Sequence, residues 1–181
     1  MNKAYAANHH KEVIINKKSI AFIGVFFFIF ATALGAYVRI PVIGTPVPIT
    51  LQTFFVFLAG AVMGKRLGSL SQLCYAILSA PFLLGPTGGY FLGFIAASYI
   101  IGRMTEPGKH RIGWVIFSFA VGSIVIYASG ILWLCYLLKI DMAKAIYMGA
   151  LPFIPGDTVK ILIAAMVYSG ISKRSKEIFS E

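Results

Sequence analysis

The strongest constraint on the fold of this chain is a series of apolar stretches long enough to cross a membrane. Of its 181 residues, 59% are hydrophobic and only 12% are charged, whereas soluble domains average about 25% charged residues. A hydrocarbon core of about 30 Å takes about 20 apolar residues in a helix. Six such stretches can be drawn, at 19–38, 47–64, 68–84, 88–104, 112–138 and 146–171. They predict an all-α membrane protein with six transmembrane helices.

The six stretches leave few residues for a soluble domain. We therefore expect a basic cytoplasmic segment at 1–18, one six-helix membrane domain at 19–172 and a cytoplasmic tail at 173–181. The apolar run in the first stretch is longer than the 7–15 residues usual in a signal peptide. It is predicted to be a permanent span.

The distribution of basic residues predicts the topology. If the N-terminus is inside, twelve of the 16 lysines and arginines fall in cytoplasmic segments and three in outer loops, and Lys160 lies within the last span. This positive-inside bias predicts that both termini are cytoplasmic, in the cytoplasmic membrane. The net charge of +10 is thereby explained by topology, and we do not expect a nucleic-acid partner.

Candidate catalytic and metal-binding residues are scarce. Cys74 and Cys135 fall in apolar runs, which favours buried, reduced thiols. His9, His10 and His110 lie in predicted cytoplasmic segments without Cys, Asp or Glu at ligand spacing. The spans contain no second acid, no histidine and no Gly-x-Ser-x-Gly motif, so we expect no enzyme activity, metal or cofactor.

The most informative polar residue in the spans is Asp157, the single acid inside a long apolar stretch. Lys160 follows three residues later, on the same helix face. A charge within the bilayer costs at least a few kcal/mol, so such residues are usually paired and functional. Pro152, Pro155 and Gly156 precede the acid, which predicts a helix break with Asp157 in the first turn of the restarted helix. The pair is either a structural ion pair or part of a substrate site, and the break favours the site.

Two loops rich in glycine and proline, Arg39–Pro48 and Pro81–Tyr90, are predicted on the outer side, level with the pair. Together they predict a cavity open to the outside. A carboxylate beside an ammonium suits a neutral, amide-like group, because one accepts and the other donates hydrogen bonds. The surrounding apolar residues suit an apolar body, so the residues predict a small amphipathic solute.

Three motifs of this region are Pro46–Thr53 (PVPITLQT), Gly85–Tyr90 (GPTGGY) and Pro152–Lys160 (PFIPGDTVK). Together they resemble the BioY family, the biotin-binding S components of energy-coupling factor (ECF) transporters, and the resemblance covers 20–172. It implies a six-helix bundle with an outward-facing vitamin pocket. It also implies partnership with a transmembrane coupling protein and two ATPases, which alone use ATP, and hence high-affinity biotin uptake.

The resemblance also implies roles for individual residues. Asp157 would accept from the ureido N–H groups of biotin, and Lys160 would balance Asp157 and donate to the ureido oxygen. The pocket would be completed by Tyr90, by the backbone near Thr87, Gly88 and Gly89, and by Gln52. Small residues on the first span contact the coupling protein in the family, and Ala31 and Gly35 match them.

The chain departs from the family pattern near the predicted pocket. Phe91 stands where some members have a basic residue, and the loop before Gly85 is short. We expect Arg39 to replace the missing cation as the partner of the biotin carboxylate. The alternatives are an S component for another vitamin, such as thiamine or riboflavin, and a membrane scaffold protein that transports nothing.

Overall fold

The computed structural model describes the backbone of residues 17–106 and 111–179, and the side chains of these residues except 17–18 and 173–178. Apart from a β-hairpin whose two strands have two residues each, its regular elements are helices. In chain order they are α1 (Lys17–Tyr37), β1 (Arg39–Ile40), β2 (Ile49–Thr50), α2 (Gln52–Leu78), α3 (Ala80–Leu83), α4 (Gly88–Thr105), α5 (Ile112–Leu138), α6 (Met142–Gly149) and α7 (Ile154–Phe179). The strands are antiparallel, with Arg39 opposite Thr50.

Four of the described helices are long and apolar enough to cross a membrane. The four segments are Ser19–Tyr37, Gln52–Leu78, Ile112–Leu138 and Ile154–Ser172. Aromatic and aliphatic side chains are exposed on them, for example Phe22 and Phe26 on α1 and Tyr136 on α5. An apolar exterior on long helices is the surface that a bilayer requires.

Helix α2 folds back on itself at Gly64. This glycine has φ 76° and ψ 179°, a backbone region open essentially to glycine alone. The Nε2 atom of Gln52, at the start of α2, lies 2.6 Å from the Oη atom of Tyr75 near its end. A side chain on Gly68 would collide with the backbone of Ala59. The segments 52–63 and 65–78 therefore form an antiparallel helical hairpin, with the second and third predicted stretches on separate arms.

Glu106 closes the turn of this hairpin. Its carboxylate accepts a hydrogen bond from the backbone N–H of Lys65 at 3.0 Å and one from Lys65 Nζ at 2.8 Å. Partial burial opposes ionisation of Glu106, but the hydrogen bonds and charge of Lys65 outweigh it and lower the pKa of the carboxyl. The end of α4 is thus fastened to the turn of α2.

Helices α1, α4, α5 and α7 pack against the α2 hairpin. Helix α1 lies along it, and Thr32 of α1 contacts Gln72 at 3.5 Å. Helix α4 packs on α2 through Gly60, where a side chain would collide with the Ser98 backbone. Helix α5 adds a stacked aromatic pair between Phe57 and Phe119, 5.5 Å apart. The core is therefore built between helices, with small residues at the crossings, as in lipid-embedded bundles.

The predicted break before Asp157 is confirmed. Helix α6 ends at Gly149, and α7 begins at Ile154 with Asp157 in its first turn. The prolines and the glycine predict a restart after Gly156, at Asp157, whereas α7 begins three residues earlier, at Ile154. Pro155 stands at the second position of α7, where the first turn tolerates a residue without an N–H. The break itself thus occupies 150–153.

Candidate substrate-binding site

A cavity of about 580 Å³ lies at the end of the bundle opposite Gly64. The β-hairpin and the free ends of both α2 arms border it, and residues of α1, α3, α4, α5 and α7 also line it. The polar residues lining it are Tyr37, Arg39, Thr50, Gln52, Thr53, Tyr75, Ser79, Thr87, Tyr90, Tyr127, Asp157 and Lys160. This volume is within the range of about 300–1,000 Å³ that is usual for small-molecule sites.

Asp157 is the best-buried charge among the described residues that line this cavity, with 3% of its surface exposed. Its Oδ1 atom accepts hydrogen bonds from Thr53 Oγ1 at 3.0 Å and from Lys160 Nζ at 2.6 Å. Its Oδ2 atom accepts one from Tyr127 Oη at 2.6 Å. Donors from two other helices and from its own helix thus hold the carboxylate in one orientation.

Lys160 connects the last helix to the β-hairpin. Its ammonium donates to the backbone carbonyl oxygen of Thr50 at 2.6 Å, as well as to Asp157. Thr53 Oγ1 lies within reach at 3.3 Å. The structure therefore confirms that Asp157 and Lys160 form an ion pair and places the pair in the cavity wall.

The polar surface continues from this pair along β2 and α2. The hydroxyl of Thr50 donates to Gln52 Oε1 at 3.0 Å, and Gln52 Nε2 donates to Tyr75 Oη at 2.6 Å. A connected row of polar groups therefore runs from Asp157 to Tyr75 along one side of the cavity. Such a row is suited to an elongated ligand with polar groups at intervals.

An aromatic surface forms much of the rest of the wall. Phe91 packs against Tyr75 with ring centroids 5.6 Å apart and against Phe94 at 5.7 Å. Phe82, Ile126 and Phe153 also line the cavity. Phe91 is thus part of an apolar wall, suited to the hydrocarbon body of a solute.

The predicted residues of the Gly85–Tyr90 motif separate into two groups. Thr87 and Tyr90 line the cavity, but the hydroxyl of Tyr90 donates to the Gly149 carbonyl at 2.7 Å, so that it joins α4 to the end of α6. Gly88 and Gly89 are not among the lining residues and pack against Trp133 of α5. A backbone contact from these two glycines to a ligand stays a prediction.

Arg39 lies at the exposed rim of the cavity, on β1. Its Nε atom donates to the carbonyl oxygen of Ala36 at 3.1 Å, which fixes the base of the guanidinium group. It is the second cation, with Lys160, that the described lining contains. Its role toward a ligand carboxylate stays a prediction.

Ala31 and Gly35, the predicted partner contacts, lie inside the chain's own fold. Ala31 is buried, and a side chain on Gly35 would meet the backbone of Leu51 and Gln52. Gly35 also accepts a hydrogen bond through its carbonyl oxygen from Leu51 N–H at 3.1 Å. The close approach that Gly35 allows is made by Leu51 and Gln52 at the start of α2. A contact of Ala31 or Gly35 with another subunit stays a prediction.

Three functional candidates were missed by the sequence reasoning, namely Thr53, Tyr75 and Tyr127. Tyr127 interrupts the run Ile124–Ile126 in the charge-free fifth stretch. A second tyrosine, Tyr136, lies near the end of the stretch, whereas Tyr127 lies near its middle. A buried tyrosine hydroxyl needs a hydrogen-bond partner, so a tyrosine at mid-span was a usable signal. Its pairing with Asp157 could not be inferred from spacing, because 30 residues separate them.

Comparison with known proteins identifies the family of this chain. The sequence model of the BioY family matches residues 8–177. The chain belongs to the BioY family. It is 37% identical over 157 residues to the biotin transporter BioY of Thermotoga maritima, covering 80% of this chain and 90% of that protein. It is also 37% identical over 153 residues to a probable biotin transporter BioY of Pyrococcus horikoshii, covering 77% of this chain and 88% of that protein.

The fold is that of an ECF S component. A crystal structure of the S component for biotin from an ECF-type ABC transporter matches this BioY chain with a TM-score of 0.77 at 22% identity. The match covers 88% of this chain and 96% of that one. With its apolar helices, this BioY protein is a multi-pass protein of the plasma membrane.

Proposed function

We propose that this BioY protein binds biotin with high affinity and serves as the substrate-capture subunit of an ECF-type transporter. The observation that carries the proposal is the buried Asp157–Lys160 pair, which lines a cavity of vitamin size in a chain of this family. The curated relatives at 37% identity, whose names describe them as biotin transporters, support it.

The two surfaces of the cavity match the two halves of the biotin headgroup. The ureido ring carries two N–H groups and a carbonyl, and Asp157 offers an acceptor on the polar side. The fused apolar ring would lie against Phe91 and Phe94 on the aromatic side. The valeryl chain would then extend toward the rim, where Arg39 is our proposed partner for its carboxylate. Gln52, Thr87 and Tyr90 are proposed as further contacts within the wall.

We propose that the chain crosses the membrane six times, with the two arms of α2 as the second and third spans. At 1.5 Å per residue the arms 52–63 and 65–78 are roughly 18 and 21 Å long, shorter than a core of about 30 Å. The cavity at their free ends would therefore lie below the membrane surface. Lys65, Arg66 and Arg103 near the Gly64 turn support a cytoplasmic position for that end, and hence an outward cavity and cytoplasmic termini.

The proposed transporter includes a transmembrane coupling protein and two ATPases, which would supply the energy of uptake. We propose domain boundaries at 1–18, 19–172 and 173–181. Residues 1–16 lie outside the described part, and α7 remains helical into the proposed tail, as far as Phe179. Ala31 and Gly35 remain candidate partner contacts, with the condition that α1 would have to separate from the start of α2 to expose Gly35.

Isothermal titration of the purified protein in detergent tests the binding step. We expect saturable biotin binding that thiamine and riboflavin do not displace. Preferential binding of either of those vitamins would assign the chain to another S-component class. Transport is tested separately, by growth of a biotin-auxotrophic host that carries the coupling protein and ATPases with or without this chain. Absence of both vitamin binding and growth rescue would favour the scaffold alternative.

A further inference from the structure

The hydrogen-bonding capacity of Asp157 is nearly filled by the protein itself. A carboxylate offers about four acceptor positions, two on each oxygen. Thr53 and Lys160 occupy both positions of Oδ1. Among the described residues, Tyr127 alone donates to Oδ2. The acceptor position that Asp157 can offer to a ligand therefore lies on Oδ2, next to the Tyr127 hydroxyl.

The donors of Lys160 are occupied as well. An ammonium has three N–H groups, and the structure gives Lys160 three acceptors. They are the Thr50 carbonyl at 2.6 Å, Asp157 Oδ1 at 2.6 Å and Thr53 Oγ1 at 3.3 Å. Donation to a ligand oxygen would require the loss of one of these bonds, the longest being that to Thr53. In its present arrangement this cluster offers an acceptor to the cavity in preference to a donor.

From these occupied positions we infer that Tyr127 is a positioning and specificity residue for ligand N–H groups. Its hydroxyl fixes Asp157 Oδ2, so that the remaining acceptor position of that oxygen faces one N–H of a urea or amide. Lys160 and Thr53 hold Oδ1 from the opposite side, and both tyrosine and carboxylate line the cavity. The inference rests on the proposed biotin-binding function and specifies which atoms discriminate among ligands.

The variant Tyr127→Phe tests this role, because it removes the hydroxyl and keeps the ring. Its affinities for biotin and for biotin methylated at either ureido nitrogen are measured by titration calorimetry. In the wild-type protein, methylation of the N–H that Asp157 reads should weaken binding on the order of tenfold or more. In Tyr127→Phe we expect biotin affinity to fall about tenfold and the ratio between biotin and the methylated ligand to shrink. Tyr136→Phe, an exposed tyrosine on the same helix, is the matched control and should change neither quantity.

The possible outcomes separate this inference from the proposed function. Failure of the wild-type protein to bind biotin would contradict the function. Normal wild-type binding, with Tyr127→Phe unchanged or weakened equally for both ligands, would overturn the specificity role and leave the function intact.

A measurement on the wild-type protein keeps the inference testable if Tyr127→Phe does not fold. Replacement of the ureido oxygen of biotin by sulfur, a poorer acceptor, should cost less affinity than methylation of the ureido nitrogen that donates to Asp157. The reverse order would show that a protein donor binds the ligand oxygen, and would overturn the inference.

Discussion

The ammonium of Lys160 donates to the backbone carbonyl oxygen of Thr50 at 2.6 Å, across 110 residues of sequence. Thr50 belongs to the β-hairpin that borders the cavity, and Lys160 also holds Asp157. The ion pair is therefore hydrogen-bonded to the β-hairpin in the cavity wall. A substitution in the pair should affect both ligand binding and the position of the hairpin.

Asp157→Asn should weaken biotin binding by at least about 1–2 kcal/mol, because a neutral amide replaces a charged acceptor. Titration calorimetry measures the change. Asp141→Asn is the control, since Asp141 caps α6 at an exposed site and asparagine caps a helix equally well. Wild-type affinity in Asp157→Asn would remove this carboxylate from the site.

Lys160→Met should lower stability by about 3–5 kcal/mol, because it leaves the carboxylate of Asp157 buried without its charged partner. The double variant Asp157→Asn/Lys160→Met should recover much of that loss while biotin affinity stays low. Thermal unfolding in detergent and titration on the same samples separate the two effects. Equal stability of the single and double variants would contradict the pairing argument.

Arg39→Gln should weaken biotin binding about tenfold, on the scale of a charge-assisted hydrogen bond. Binding of biotin amide, which lacks the carboxylate, should hardly change. Lys144→Gln, at an exposed position of α6, controls for the general loss of a positive charge. Equal losses of affinity for biotin and for biotin amide would show that Arg39 does not bind the carboxylate.

Gly64→Ala should destabilise the protein by roughly 1–3 kcal/mol, because alanine rarely adopts the backbone angles of this turn. Gly170→Ala is the matched control, since nothing described lies within 4 Å of its added methyl group. Alanine at that helical position should be neutral or stabilise by up to about 1 kcal/mol. Midpoints of thermal unfolding in detergent give the comparison, and an unaffected Gly64→Ala would mean that the turn can relax.

The contact between Glu106 and Lys65 should make stability depend on pH. The pKa of Glu106 is lower in the folded state than its ordinary value, so its contribution is complete above the unfolded pKa of about 4.3. It is lost as the pH falls through the folded pKa. The difference in unfolding temperature between wild type and Glu106→Gln should therefore be largest near neutral pH and shrink below about pH 4. A difference that does not vary with pH would contradict this assignment.

The helical class and the ion pair could be predicted because each depends on local sequence. Apolar stretches indicate membrane helices, and the spacing of Asp157 and Lys160 puts them on one helix face. The break before Asp157 was equally local, since prolines and a glycine mark it.

The remaining parts of the site depend on contacts between distant segments. The partners of Asp157 on other helices, Thr53 and Tyr127, are 104 and 30 residues away, and no local pattern links them to it. The sequence also did not distinguish glycines that approach a ligand from glycines that approach a helix. Gly88 and Gly89 illustrate this, because the space that a side chain would need is filled by the backbone of Leu83 at Gly88 and by Trp133 at Gly89.

The short arms of α2 have an electrical consequence. In the proposed orientation their free ends stop roughly 10 Å inside a hydrocarbon core of about 30 Å, so a bound ligand has already entered part of the voltage drop across the membrane. Carrying one negative charge against an interior-negative voltage costs about 2.3 kcal/mol per 100 mV. Part of that work would be done at the binding step. Biotin affinity in an energised membrane should then vary with voltage, whereas the affinity for uncharged biotin amide should not.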